Sequence, residues 1–322
     1  MGQDMPDGES REALFRSQNP EDLVSLYQSF HSVADIRNFL CSRPKGKPTV
    51  VPHLGRGKPD CVAVVPTADA SGPLASEFLR SFPHLDILLV ESRGWGFNFA
   101  HSMNVGISAA LELDPKWIVL TNDDLSPQSP WSEWRTEMDK REGTEWIKPT
   151  IYCDRKMLSS SWILTLLNED TISWKLGHRL SQRSGEKDGT YNVFLSFARK
   201  LGVPPVLPVK TEPLRGVSDH FLAKRFRVTT VPTFLSVQPI SIYRSSVLEN
   251  TRFDERYTNA LEDTDLSLRL AQEKHPGRLV RIGVNTRMGG SLGTSRIRWL
   301  RYNLPGNLLF AEKVRSVIEV GN

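Results

Sequence analysis

The stretch richest in chemistry runs from Phe253 to Leu270, FDERYTNALEDTDLSLRL. It gathers Asp254, Glu255, Glu262, Asp263 and Asp265, then passes into a segment where Leu266 and Leu270 stand four apart. That spacing predicts a helix, with Glu262, Asp263 and Asp265 in its first turn, where the helix dipole favours negative charge. An ionised carboxylate held beside a bound ligand suits a general base. A second acidic pair, Asp123-Asp124, follows the strand-like run WIVLT and Asn122. Carboxylates at a strand end offer hard oxygen ligands for a divalent cation, which would neutralise a leaving diphosphate. Each element alone has an ordinary reading, since acids cap helix starts and Asp-Asp makes turns. Their occurrence together shifts the balance towards a site.

Two Gly-rich segments add to this. GWGFNFAHSMNVG, Gly94 to Gly106, reads as a turn entering a helix, with glycines that permit close backbone approach to a ligand. Gly289-Gly290-Ser291-Leu292-Gly293, flanked by Arg287, Arg296 and Arg298, could wrap phosphates with backbone N–H groups and guanidinium forks. Neither segment carries G-x-x-x-x-G-K or G-x-G-x-x-G. The histidines show no metal-ligand spacing, and no C-x-x-C is present.

The elements that must position these residues follow from apolar periodicity. CVAVVPT (Cys61 to Thr67), LDILLVES (Leu85 to Ser92) and WIVLT (Trp117 to Thr121) read as buried strands. Helices at Ala75 to Phe82 and after the Gly94 turn separate them, which predicts parallel crossover units. Ligands of such sheets bind beyond the carboxyl ends of the strands. Those ends carry Thr67 and Asp69, Glu91, Arg93 and Gly94, and Asn122, Asp123 and Asp124. Upstream, residues 22 to 40 read as helix with a break near His31-Ser32, and the first 20 residues as loosely packed. RPKGKPTVVPHLGRGKPD reads as loop. Trp131 to Arg141 is expected as a surface helix, EWIKPTIYC and LSVQPISIYRSSVL (Leu235 to Leu248) as strands, and Pro305-Gly306 as a break in a helical tail. Residues 155 to 235 lack clear alternation and are basic, either a solvated insertion or a surface for an anionic acceptor or membrane headgroups.

Composition sets the remaining bounds. The chain has 322 residues, 24% of them charged, and a net charge of +4, too mild to indicate nucleic acid by itself. Its three cysteines, Cys41, Cys61 and Cys153, are widely spaced and fit a reducing compartment. No apolar run is long enough to span a bilayer, and the polar, acidic start has no signal-peptide core.

FDERYTNALEDTDLSLRL resembles the FDE…ED-x-DL-x-x-R signature of family-2 nucleotide-sugar glycosyltransferases with the GT-A fold. From Val62 to Lys313 further segments are similar to that family in its order. VAVVPTADASG resembles its first nucleotide-binding strand and loop, with Pro66 and Thr67 in place of the usual acid and Asp69 as the nearest carboxylate. SRGWGFNFAHSMNVGI resembles N-x-G-x-x-x-A-x-N-x-G-I, matching at Asn104 and Gly106. WIVLTNDDL resembles the metal-binding D-x-D element, with Asn122 first and Asp124 last. RMGGSLGTS resembles the H-x-G-G-x-S loop, with Arg287 at the His position, and RYNLPGNLLFAEK the terminal R-N-x-L-x-F-x-x-K stretch.

The resemblance implies a mixed, mainly parallel α/β sheet of the GT-A (Rossmann-like) type, flanked by helices. Residues 1–55 would form an N-terminal helical extension, 56–150 the nucleotide-sugar-binding half, 151–235 a basic insertion and 236–322 the acceptor and catalytic half with the tail. It implies sugar transfer from a nucleotide-diphosphate sugar to an acceptor hydroxyl, with inversion. Asp263 is the implied base, with Glu262 beside it, and Asp124 with Asp123 would bind Mn²⁺ or Mg²⁺. Donor contacts would come from Thr67, Asp69, Glu91, Arg93, Gly94, Asn104, Asn122, Asp123, Gly289, Gly290, Ser291, Arg296 and Arg298. The acceptor is a glycan, a lipid-linked glycan or another hydroxyl compound, anionic species and nucleic acid included. A cytoplasmic location is expected, at a membrane surface if the acceptor is lipid-linked. Two rival readings stand beside it: a sugar-nucleotide or glycan-binding protein without turnover, and a nucleotidyltransferase.

Overall fold

The computed structural model describes residues 8–140, 143–153, 156–157, 161–166, 196–198, 200–202, 206–210, 229–230, 234–235, 239–286 and 296–320. Three short helices open it: α1 (Gly8–Arg16), α2 (Pro20–Gln28) and α3 (Val33–Ser42). An edge strand β1 (Thr49–His53) leads to the expected units: β2 (Cys61–Thr67), α4 (Pro73–Ser81), β3 (Asp86–Glu91), α5 (Phe99–Glu112) and β4 (Trp117–Thr121). After β5 (Leu125–Pro127), α6 (Trp131–Asp139), β6 (Trp146–Cys153) and β7 (Lys156–Met157), a small antiparallel sheet joins β8 (Ser161–Leu166), β9 (Val206–Lys210), β10 (Thr229–Thr230) and β11 (Phe234–Leu235). The chain returns through β12 (Ile240–Arg244), α7 (Ser245–Asn250), α8 (Glu262–Gln272), β13 (Gly277–Thr286), a π turn (Trp299–Asn303) and α9 (Leu304–Val320).

The main sheet has the order β1-β3-β2-β4-β12-β6-β13-β5, with β7 beside β6. The expected parallel core is present as β3-β2-β4, and β6 pairs parallel with β13. The sheet is nevertheless mixed rather than mainly parallel. Pairings β1/β3, β4/β12, β12/β6, β13/β5 and β6/β7 are antiparallel. The reason is topological: β12 arrives long after β4 and enters beside it in the opposite direction, a placement that no local periodicity encodes.

Strands β2 to β4 read as unbroken apolar runs because both faces are covered. On one face Ala63, Val65, Ile87, Leu89 and Val119 pack with Phe78 of α4 and Trp134 of α6. On the other, Val62, Val64, Leu88, Ile118, Trp146 and Tyr243 pack with Met103 and Ile107 of α5 and with Leu266 and Leu270 of α8. A third cluster joins Phe15, Leu23, Phe30, Ile36 and Phe39 of the first three helices to Leu304 and Leu308 of α9, and Leu268 of α8 reaches into it.

Four expectations are corrected. The expected β run Leu235 to Leu248 ends at Arg244, and Ser245–Asn250 forms α7, whose Val247 and Leu248 are buried. The first 20 residues are not all loose: α1 forms, and Phe15 is fully buried against Phe39 and under the guanidinium of Arg43. The Pro/Gly/Lys-rich segment contains β1, whose Pro52 is tolerated because the strand lies at the sheet edge. Pro305-Gly306 does not end the tail: helical residues continue from Arg296 to Val320, and the irregularity is a π turn, Trp299–Asn303, just before the proline. The break at His31-Ser32 is present, with Ser32 capping α3 through Asp35 N.

Gly106 allows α5 to press onto the sheet. A Cβ there would lie 2.3 Å from Val64 Cγ1 and 2.7 Å from Val90 Cγ2. Gly106→Ala is therefore expected to destabilise the fold by about 1–3 kcal/mol through overpacking. Urea denaturation checks this, and an unchanged midpoint contradicts the close packing.

Candidate functional site

The carboxyl ends of β3, β2 and β4 bring the first group of predicted residues together. Thr67 and Glu91 lie in register at the ends of adjacent parallel strands. Thr67 Oγ1 donates to Asp123 Oδ2 at 2.7 Å, tying the end of β2 to the segment beyond β4. Asn122 N donates to Pro239 O at 3.0 Å, which fixes the same segment to the approach to β12. Glu91 Oε2 accepts from Ala70 N at 3.0 Å, and its other oxygen is 3.6 Å from Arg93 Nη2. Asp69 Oδ1 accepts from Ser71 N at 3.0 Å and Ser71 Oγ at 2.8 Å, bonds that lower its pKa. Burial pushes the Asp123 carboxyl upward, against the Thr67 hydrogen bond.

The turn after Arg93 is fastened from outside the sheet. Gly94 has φ +81°, a conformation suited to glycine. Gly96 O accepts from Gly46 N at 2.6 Å, and Trp95 O accepts from Arg43 Nη2 at 3.4 Å. The Arg301 guanidinium sits 4.8 Å from the Trp95 ring centre. The terminal helical cluster thus sets the position of this loop.

Asn104 turns towards the FDER segment. Its Nδ2 donates to Phe253 O at 2.9 Å and Glu255 Oε1 at 3.0 Å, and its Oδ1 accepts from Phe253 N at 3.0 Å. Asn98 Nδ2 donates to Glu255 O at 2.9 Å, and His101 Nδ1 lies 3.1 Å from Glu255 Oε2. These contacts hold the acidic stretch against α5.

In the first turn of α8 two of the three carboxylates are buried. Asp265 is fully buried; its Oδ2 accepts from Arg269 Nε at 2.9 Å, while Oδ1 accepts from Tyr257 Oη at 3.3 Å and from Lys313 Nζ. Glu262 is buried too, and its Oε2 meets no hydrogen-bond donor among the described residues. Burial, with the charges of Asp263 and Asp265 adding to it, pushes its pKa up to about 8. Asp263 is half-buried, with Oδ1 accepting from Thr264 N at 2.8 Å.

Arg296 and Arg298 stand towards the helical cluster rather than the strand ends. Arg296 lies 3.7 Å from Glu21 of α2, and Arg298 6.0 Å from the Tyr302 ring, with burial lowering its pKa to about 10. Arg287, Gly289, Gly290 and Ser291 lie outside the described residues, as does most of the basic segment. Sequence reasoning missed Lys148, which is 2% exposed in β6. A single lysine inside the apolar run WIKPT was the available signal.

Among the described residues no cluster of three or more His, Cys, Asp or Glu is placed to hold a metal ion. Asp123 and Asp124 are two adjacent carboxylates beyond the end of β4, with Asp123 Oδ2 already accepting from Thr67. Among the described residues, no helix is long and apolar enough to cross a membrane.

No protein family matches the sequence, and no curated protein matches it at a significant level. Similar solved structures include A197 from STIV, at 8% identity and TM-score 0.34, covering 69% of this chain and 81% of that one. S. aureus TarS 1-349 in complex with UDP-GlcNAc is similar at 9% identity and TM-score 0.38, covering 71% and 59%. A longer TarS chain has the same identity and TM-score, covering 70% and 36%. This chain thus spans only about a third to three-fifths of the TarS chains it is similar to. These likenesses concern chain path, at identities where residue roles do not transfer.

The raised Glu262 pKa gives a pH prediction. Between its ordinary 4.5 and about 8 the folded chain binds more protons at this carboxyl than the unfolded chain. Stability contributed here is present below the lower value and lost as pH rises through that window. Glu262→Gln should lose less stability than the wild type between pH 5 and 8, by on the order of 1 kcal/mol or more. Parallel stability-versus-pH curves contradict the assignment.

Proposed function

We propose that the chain is a glycosyltransferase that moves a sugar from a nucleotide-diphosphate sugar to an acceptor hydroxyl with inversion. The observation that carries this reading is the assembly of Glu91, Thr67 and Asp123 at the carboxyl ends of three adjacent parallel strands. α8, which opens with the acidic cluster, packs Leu266 and Leu270 on a face of the same sheet. In α/β sheets this edge is where ligands bind.

In this reading Thr67, Asp69, Glu91, Arg93 and the Gly94 turn face the nucleoside, and Asn122 with Asp123 lies nearest the diphosphate. Asp124 and Asp123 would hold Mn²⁺ or Mg²⁺, which supplies charge neutralisation for the diphosphate when bound. Asp263 removes the proton from the acceptor hydroxyl. The acceptor oxygen forms its bond to the anomeric carbon on the face opposite the diphosphate. The bond from that carbon to the diphosphate oxygen breaks, its electron pair leaves with the nucleoside diphosphate, and the configuration inverts. Asn104 supports this chemistry indirectly, by clamping the segment that leads to Asp263.

A thermal-shift panel of nucleotide sugars, UDP-GlcNAc among them, with Mn²⁺, Mg²⁺ or chelator, tests the donor half. A ligand at 100 times its Kd stabilises by about 2.7 kcal/mol. A metal-dependent shift with at least one donor, lost in Asp124→Ala, is expected. A shift that survives both chelator and Asp124→Ala contradicts the metal assignment, and no shift with any donor contradicts donor binding.

A further inference from the structure

Lys148 is a charged side chain placed where the fold buries it. It lies in β6 two residues beyond Trp146, so both side chains point to the same face of the sheet. On that face Trp146 and Tyr243 pack with Leu266 and Leu270 of α8. Asp263, Leu266 and Leu270 are spaced i, i+3 and i+7, one stripe of the helix. The stripe therefore brings Asp263 over the sheet beside Lys148, one turn ahead of the apolar contact. The strand directions agree: Ile147 pairs with Ile242, and Ile242 with Val119, so Lys148 stands one residue nearer the end of β4 that leads into Asn122 and Asp123.

We infer that Lys148 is the positioning residue of the proposed base: its ammonium is the counter-charge that holds the Asp263 carboxylate ionised and aimed along the sheet towards the strand ends. This rests on the glycosyltransferase reading for its function, but not for its geometry. The charged and titratable groups that bear on the pair come from both elements packed there. From α8, the Asp263 charge acts on Lys148, on its neighbour Glu262 and on Tyr243 of β12; Asp265 also acts on Glu262, and Arg269 also acts on Tyr243. Burial lowers the lysine pKa well below its ordinary value, and the Asp263 charge opposes that drop. An ammonium so deeply buried stays charged only with a partner, and breaking a buried pair from one side is strongly destabilising.

The test uses Lys148→Met, Lys148→Arg, Asp263→Asn and the Lys148→Met/Asp263→Asn double variant of the full chain. In urea denaturation the double variant should lose clearly less stability than the two single losses combined. Additive losses overturn the pairing. Should Lys148→Met alone fail to fold, recovery on adding Asp263→Asn supports the pairing as the cycle would, and no recovery overturns it. The second readout is the pH profile of nucleoside diphosphate release from the donor. Lys148→Met should move its acid limb upward by about one pH unit or more, as loss of a neighbouring positive charge does, and Lys148→Arg should restore it. An unmoved limb in Lys148→Met overturns the role. If the wild type turns over no nucleotide sugar, the glycosyltransferase reading fails, while the denaturation cycle still decides the pairing.

Discussion

Two carboxylates in the first turn of α8, Glu262 and Asp265, are drawn out of water together, and contacts from distant parts of the chain meet that demand. Asp265 has no exposure, and three donors from three places answer it: Arg269 one turn on, Tyr257 just before the helix and Lys313 from α9. A buried carboxylate without such partners would carry a penalty of several kcal/mol. The Lys313 contact explains why the two ends of the chain matter to the middle. The first three helices and α9 share one apolar cluster, and through Asp265 and Leu268 that cluster grips α8. The dipole of α8 adds favourable field for negative charge at the same end.

The same helical cluster governs the other edge of the site. Arg43 and Arg301, both buried, reach the Trp95 turn beyond β3. Arg301 is itself anchored by Phe15 O at 2.9 Å and Ser17 O at 2.6 Å. The FDER segment is clamped to α5 by Asn98 and Asn104. Two polar stretches far apart in sequence are thereby held by fixed, short-range hydrogen bonds rather than by loop propensity. Rigid supports of this kind are what a site needs if its groups are to hold position during chemistry.

The sequence made some of this legible and concealed the rest for physical reasons. Strands β2, β3 and β4 were readable because burial on both faces leaves continuous apolar runs. The helix of Glu262–Gln272 was readable because Leu266 and Leu270 keep helical spacing beneath an acidic start. The antiparallel entry of β12 was not, because strand direction is settled by a chain return more than a hundred residues long. β1 was hidden by Pro52, which an edge position excuses, and α1 by a polar surface whose buried residue, Phe15, finds its partners in distant helices. Asn104 matched a motif yet serves the FDER segment, since a motif names a residue type but not the direction of its side chain. Lys148 passed as one lysine in a strand because its burial is decided by elements distant in sequence.

The proposed reaction stands on Asp263 as the group that takes the acceptor proton. The most direct measurement is single-turnover release of nucleoside diphosphate by wild type and Asp263→Asn, with donor affinity measured on both proteins. The account predicts a rate loss of about 10²–10⁴-fold in the variant with donor affinity retained. Near-normal turnover by a folded Asp263→Asn protein would contradict it.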